Sequence, residues 1–117
     1  MNPDTRDLMD RLLEVHGPSG HEREAGRAWR GAAEDFADRV WLDVQGNSFA
    51  EVGEGGGPRV MLAGHIDEIG LMIHHIDDEG FLYLKGVGGW DPQVLVGQRV
   101  EILAEEGPIP GVIGWKA

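Results

Sequence analysis

The 117-residue sequence contains no cysteine, which excludes disulfides, thiolate metal sites and cysteine nucleophiles. No apolar run approaches the roughly 20 residues that span a bilayer, and the amino terminus lacks the pattern of a signal peptide. Basic residues are scarce, at 10 against 21 acidic ones, and the formal net charge is −11. Because nucleic acids and anionic membranes attract basic surfaces, we expect a cytoplasmic protein that binds neither of them.

Glycine, by contrast, is abundant, with 19 residues, so frequent turns are expected. Hydrophobic residues make up 41% and charged residues 26%, as in ordinary globular proteins. The length corresponds to about one domain.

Two helices are predicted in the first third of the chain. Apolar residues at helical spacing predict the first helix over residues 3–15. Ser19, with Glu22 three residues later, fits a capping box, which predicts a second helix from there to about Ala37. The segment 17–20 between them lacks the lysine of a phosphate-binding loop, so we interpret it as a helix-to-helix turn.

Strands are predicted in the rest of the chain. Alternating residues at 40–44, a turn signal and residues 49–52 predict a hairpin. The apolar run 60–63 predicts a strand buried on both faces, between Pro58 and Gly64. Four further strand candidates, spaced as in a small barrel or sandwich, are 69–76, 81–87, 99–103 and 109–115. The change from helices to short strands places a domain boundary near residue 70.

His65 and Asp67 follow the predicted strand 60–63 directly. Ligands of open α/β sheets gather at the carboxyl ends of strands, and residues i and i+2 of an extended chain face the same side. One of the two could bind a metal while the other orients it. A structural histidine beside a turn-capping aspartate stays open on spacing alone, since a hydrolytic site needs at least three protein ligands. Glu68 should point away from both.

Two other motifs have simpler interpretations. His74 and His75 are adjacent on a predicted strand, so they should face opposite sides and not share one ion. The loop 88–92 is expected to pack its tryptophan locally. The alternative is that Trp90 and Asp91 line a substrate or subunit contact.

Seven segments, in order along nearly the whole chain, together carry a specific resemblance. They are GPSGHE at 17–22, DVQGN at 43–47, VMLAGHIDEIG at 60–70, HIDDEGF at 75–81, GGWDP at 88–92, GQRV at 97–100 and GVIG at 111–114. The set resembles the glutamyl aminopeptidase and tetrahedral aminopeptidase family of cytosolic metallopeptidases, some of whose members are labelled endoglucanase or cellulase.

The resemblance implies an α/β fold: a zinc-peptidase-like mixed sheet with helices, interrupted by a small β-barrel dimerisation domain. Residues 1–68 would form the N-terminal part of the catalytic domain. Residues 69–117 would form the first part of the barrel, which is incomplete here. Homo-oligomers through the barrel are implied as well.

The resemblance also implies the chemistry. His65 matches the family's first metal-ligand histidine, and Asp67 matches an aspartate that is treated as catalytic. Such enzymes use two divalent metal ions, zinc or cobalt, to activate the water that removes amino-terminal residues from peptides. Of the metal ligands, this chain would supply only His65.

Family members are several times longer, and their remaining acidic ligands, base glutamate and last histidine match nothing here. We therefore expect an N-terminal third that is inactive alone, whether it is an expressed fragment, a disrupted reading frame or a proteolytic product. Two alternatives stay open. A glycan hydrolase would need a pair of carboxylates and normally no transition metal. A non-catalytic oligomerisation module would not need the His65–Asp67 motif.

Overall fold

The computed structural model describes residues 3–53 and 55–115, and these form a mixed α/β arrangement, as predicted. A short 3-10 helix, Pro92–Val94, lies between the fourth and fifth strands. The two helices and six strands are α1 (Pro3–Glu14), α2 (Arg23–Ala33), β1 (Arg39–Leu42), β2 (Ser48–Glu51), β3 (Gly70–Ile76), β4 (Leu82–Val87), β5 (Arg99–Ala104) and β6 (Gly107–Val112).

The strands form three separate antiparallel hairpins, β1–β2, β3–β4 and β5–β6. Each joins neighbours in sequence, so local turns determine the pairing. The predicted hairpin and the four later strands are confirmed, with ends displaced by up to three residues. Within 3–53 and 55–115 the hairpins share no sheet, so a closed barrel and the boundary at residue 68 stay predictions.

Helix α2 packs against the β1–β2 hairpin. The guanidinium of Arg30 donates a hydrogen bond to the hydroxyl of Ser48, with 2.7 Å between the two atoms. Ala25 and Ala33 are the buried hydrophobic side chains of the described residues, each 2% exposed. Two alanines bury little apolar area, so this core contributes only a small hydrophobic stabilisation.

The predicted limits of the second helix were wrong at both ends. The helix begins at Arg23 with Glu22 at the N-cap, and Glu22 makes no side-chain capping bond to it. Instead, its carboxylate accepts a hydrogen bond from the backbone N–H of Gly20. Ser19 is not the cap because its hydroxyl is bonded to a distant aspartate. The helix ends at Ala33 in a turn, before the predicted end.

The predicted buried strand at 60–63 was also wrong. These residues have no regular secondary structure, and Val60, Met61 and Leu62 are 82%, 80% and 94% exposed. A strand needs a neighbour that takes up its backbone N–H and C=O groups. The hairpins are paired within themselves, so in the described part of the chain none supplies that neighbour.

The shape reflects this shortage of packing. The radius of gyration is 18.4 Å, whereas a compact chain of this length has about 13 Å. The extents of 64 × 33 × 30 Å describe an elongated molecule. No helix in residues 3–53 and 55–115 is long and apolar enough to cross a bilayer.

Candidate functional site

His65 and Asp67 contact each other, as their spacing predicted. His65 Nδ1 lies 2.9 Å from Asp67 Oδ1 and 3.1 Å from the Asp67 carbonyl oxygen. An ionised carboxylate can only accept, so Nδ1 carries the proton and donates it. In a neutral ring Nε2 then keeps its lone pair. The imidazole side chain is 86% exposed, so this nitrogen belongs to an accessible ring.

Asp67 is held from a second side by Ser19. The Ser19 hydroxyl donates to Asp67 Oδ2 over 2.5 Å, across 48 residues of sequence. This hydrogen bond, followed by the one from His65, lowers the pKa of Asp67 below its ordinary value. Asp67 is therefore ionised at neutral pH and accepts a hydrogen bond at each oxygen.

Residues 17–19, which we call the anchor loop, also bind Glu68. The backbone N–H of Glu68 donates to the Gly17 carbonyl at 2.9 Å, and Ser19 N–H donates to the Glu68 carbonyl at 3.2 Å. The Glu68 carboxylate accepts from Gly17 N–H at 3.0 Å. Glu68 thus holds the loop in place, and none of its described hydrogen bonds goes to His65. Its outward orientation stays a prediction. A single parallel bridge pairs Pro18 with Glu68.

Two glycines permit this close approach. A Cβ on Gly70 would lie 2.7 Å from Pro18 Cβ, which is too short for carbon atoms. A Cβ on the buried Gly17 would lie 3.1 Å from Ala25 Cβ, on helix α2. The anchor loop therefore lies between α2 and the start of β3, and it joins the His65–Asp67 motif to both.

Sequence reasoning missed the roles of Ser19 and Gly17. It assigned Ser19 to a helix cap because Glu22 stands at the matching position. The local pattern contains no sign of a partner 48 residues away. The one available signal was that 17–22 and 60–70 both belong to the ordered segments of the family resemblance.

His74 and His75 do not follow the strict alternation that we predicted. A β-bulge between Ile73 and His75 inserts an extra residue into β3. As a result both rings lie near Tyr83, with ring centroids 6.4 Å and 5.3 Å away. A bulge leaves one residue unpaired and re-aims its side chain, so alternation fails there.

Trp90 packs locally, as expected. Its indole Nε1 donates to the carbonyl of Gly70 over 2.7 Å, and its Cδ1 lies 3.2 Å from where a Gly86 Cβ would be. Asp91 accepts from the backbone N–H of Gln93 at 3.0 Å and begins the 3-10 helix. The loop 88–92 thereby closes over the start of β3.

The described residues bring together a small set of polar side chains. Across 3–53 and 55–115, no three His, Asp or Glu side chains come together in a way that would hold a metal ion. The structure brings together His65, Asp67 and Ser19. Zinc prefers imidazole nitrogen and carboxylate oxygen among cysteine-free ligands, so the donor types present fit a divalent cation.

Comparison with known proteins identifies relatives along nearly the whole chain. The family model of the M42 glutamyl aminopeptidases matches residues 46–117, which include His65 and Asp67. The lysyl aminopeptidase of Pyrococcus furiosus is 38% identical over 109 residues, covering 92% of this chain and 31% of that protein.

Solved structures agree with this result. The TET aminopeptidase of a marine sediment archaeon, Thaumarchaeota archaeon, superposes with a TM-score of 0.91 at 38% identity, over 97% of this chain and 32% of that one. The TET1 peptidase of Pyrococcus horikoshii, which can assemble into a tetrahedron or a large octahedral shell, gives 0.82 at 37% identity, over 94% and 33%.

The chain spans about a third of the length of these relatives. The matching family model describes peptidases, so the glycan-hydrolase alternative is not favoured.

Proposed function

Because the chain belongs to the M42 glutamyl aminopeptidase family, we propose that it supplies one side of the active site of a metal-dependent aminopeptidase. The activity would be hydrolysis of amino-terminal residues from peptides. The observation that carries the proposal is the 2.9 Å contact between His65 Nδ1 and Asp67 Oδ1, which leaves Nε2 as an electron-pair donor on an exposed ring.

Each residue has a defined part. His65 would hold a divalent cation through Nε2, and Asp67 holds the His65 ring in the tautomer and orientation that this requires. Zinc or cobalt ions, two in the complete centre, would acidify water and polarise the scissile carbonyl. Ser19 and Glu68 keep the motif against the anchor loop.

We further propose that the 117-residue chain has no aminopeptidase activity by itself. A hydrolytic metal site normally takes at least three protein ligands. Support for this comes from the described residues, which bring no such group together.

Assembly is proposed from a relative and from the exposed apolar surface. The Pyrococcus horikoshii TET1 peptidase can assemble into a tetrahedron or a large octahedral shell. In this chain β3–β6 would form the first part of a barrel domain, 69–117, that mediates homo-oligomers. Exposed apolar side chains on these hairpins, such as Met72, Ile109 and Val112, are available for such contacts.

Metal binding at His65 tests the proposal directly. Paramagnetic Co²⁺, added to the whole chain, should broaden the NMR signals of the His65 ring first. His65→Ala should abolish this site, whereas His21→Ala, at another exposed histidine, should leave it unchanged. Equal broadening of all histidines would contradict a selective site at His65.

A test of the catalytic role requires the two thirds of a relative that this chain does not match. The chain can replace the matching third of the Pyrococcus furiosus lysyl aminopeptidase, and the hybrid can be assayed on aminoacyl-p-nitroanilides. His65→Ala and Asp67→Ala should each remove the activity of the hybrid, while His21→Ala should not. Turnover by the 117-residue chain alone with added zinc or cobalt would contradict its proposed inactivity.

A further inference from the structure

We propose that Ser19 is a positioning residue for the His65–Asp67 pair: its hydroxyl fixes the Asp67 carboxylate so that the His65 ring keeps its proton on Nδ1 and offers Nε2. The metal-binding consequence rests on the proposed function. The effect on the histidine tautomer does not, and it can be measured without any metal.

The geometry of the carboxylate carries the argument. Ser19 donates to Oδ2 at 2.5 Å, and His65 donates to Oδ1 at 2.9 Å. With one donor on each oxygen, rotation of the carboxylate about its Cβ–Cγ bond breaks both hydrogen bonds. Without Ser19, the carboxylate would keep the hydrogen bonds from the exposed His65 ring and from its own backbone N–H, and it would lose the one donor that comes from outside residues 65–67.

Ser19 is placed by contacts that do not involve its hydroxyl. Its backbone N–H donates to the Glu68 carbonyl, and Glu68 N–H donates to the Gly17 carbonyl. The Glu68 carboxylate adds a third bond, to Gly17 N–H. These bonds hold the Ser19 backbone next to the residue that follows Asp67, so the short side chain reaches the carboxylate directly.

Because the bonds that place the Ser19 backbone do not involve its hydroxyl, a substitution at Ser19 can distinguish a positioning role from mere support of the loop. Removing the hydroxyl leaves all three hydrogen bonds between the anchor loop and Glu68 available. A purely structural serine would therefore be replaceable by alanine with no change at His65. A positioning serine would not, but threonine, which keeps the hydroxyl at an exposed position, should replace it.

The test is ¹⁵N NMR of the histidine rings in the whole chain, at a pH above the ordinary histidine pKa of about 6.5. We expect the wild-type His65 to be mainly the Nδ1–H tautomer. In Ser19→Ala the ratio of Nδ1–H to Nε2–H should fall about fivefold, the equivalent of one ordinary hydrogen bond. Ser19→Thr should keep the wild-type ratio.

Ser48→Ala is the matched control. Ser48 is the other serine of the chain, and its hydroxyl accepts a hydrogen bond from Arg30, away from the motif. Its loss should leave the His65 tautomer unchanged. Exchange protection of the Glu68 amide, equal in wild type and Ser19→Ala, would show that the anchor loop is intact.

Two results would overturn the proposal: a wild-type tautomer ratio in Ser19→Ala, or an altered ratio that Ser19→Thr does not restore. Zn²⁺ affinity at His65 should fall about tenfold in Ser19→Ala, as for other residues that orient a ligand. If the tautomer shifts but the wild-type ring binds no Zn²⁺, the positioning role stands and the proposed metal function fails.

Discussion

Residues 60–63 and 66–70 lie on either side of Gly64 and are held in opposite ways. The first stretch is apolar and exposed, and no hydrogen bond within the described chain involves its backbone. The second is bound to the anchor loop by two backbone hydrogen bonds and two side-chain bonds. The two stretches differ in their hydrogen-bonding partners: residues 17–19 lie beside the second stretch, and among the residues that the structure describes nothing comparable lies beside the first.

The His65–Asp67 motif and the anchor loop therefore form a unit that does not depend on a regular strand at residues 60–63. The relatives are about three times as long as this chain. Within the described residues, 60–63 have no hydrogen-bonding neighbour, whereas 66–70 have theirs in the anchor loop.

Gly70→Ala should have the largest effect on the hydrogen bonds between the anchor loop and Glu68. The added Cβ would lie 2.7 Å from Pro18 Cβ, and overpacking of this kind costs about 1–3 kcal/mol. Hydrogen exchange of the Glu68 and Ser19 amides should accelerate about 5- to 150-fold. Gly64→Ala is the control, since its Cβ would meet nothing within 4 Å. Unchanged exchange in Gly70→Ala would show that the anchor loop does not hold the motif.

A smaller effect is expected from Glu68→Ala. It removes the acceptor for the N–H of the buried Gly17, and an unsatisfied donor costs about 1 kcal/mol or somewhat more. Exchange of the Gly17 amide should accelerate about fivefold or more. Glu68→Gln keeps an oxygen acceptor and should exchange nearly as slowly as the wild type. Identical exchange in all three proteins would contradict this contact.

Leu62→Lys tests residues 60–63, the stretch that the anchor loop does not hold. Because Leu62 is 94% exposed, the change should alter Glu68 amide protection by no more than about 0.5 kcal/mol. It should weaken self-association in sedimentation experiments, since it places a charge in an exposed apolar stretch. Gly57→Lys, in the preceding loop, adds the same charge outside that stretch and serves as the control. Loss of Glu68 protection in Leu62→Lys would mean that the two stretches are coupled.

The smallest effect is expected in the turn between β1 and β2, which is held by hydrogen bonds between residues close in sequence. The side-chain hydrogen bond from Asn47 is the main cause that lowers the pKa of Asp43 below 3.8. A lowered folded-state pKa means that this contribution is present above 3.8 and is lost as the pH falls through the folded value. In an NMR titration, the Gln45 and Asn47 amides, which donate to Asp43, should report a midpoint below 3.8.

Gly70→Ala should leave that titration unchanged, because the Asp43 contacts lie within four residues of sequence. Asn47→Ala should raise the pKa of Asp43 toward its ordinary value. A midpoint at or above 3.8 in the wild type would contradict the assigned contacts.

Locality explains which elements could be predicted. Helix α1 and the hairpins depend on periodicity and on turns within a few residues, and all were predicted to within about three residues of their ends. The start of α2 was mispredicted because Ser19 satisfies a local capping pattern but binds Asp67 instead. The strand at 60–63 was mispredicted because its apolar pattern describes an environment that these residues do not have here.

The residues of the candidate site likewise divide into those that local sequence could predict and those that it could not. His65 and Asp67 were identified from their spacing and from the ordered family resemblance, and their mutual contact follows from being two residues apart. Ser19 and the fastening role of Glu68 could not be derived, since both depend on a contact across about 50 residues. Loop closure over that distance leaves no periodic trace in a single sequence.

The first helix, the hairpins and the His65–Asp67 pair follow from the order of the amino acids alone, because each depends on residue type or on neighbours within a few positions. The contacts of the anchor loop with Asp67 and Glu68, and the exposure of residues 60–63, depend on how distant segments come together in the folded chain. Hydrogen-bond donors and acceptors must find partners wherever the chain places them. The anchor loop supplies those partners on one side of Gly64 and not on the other.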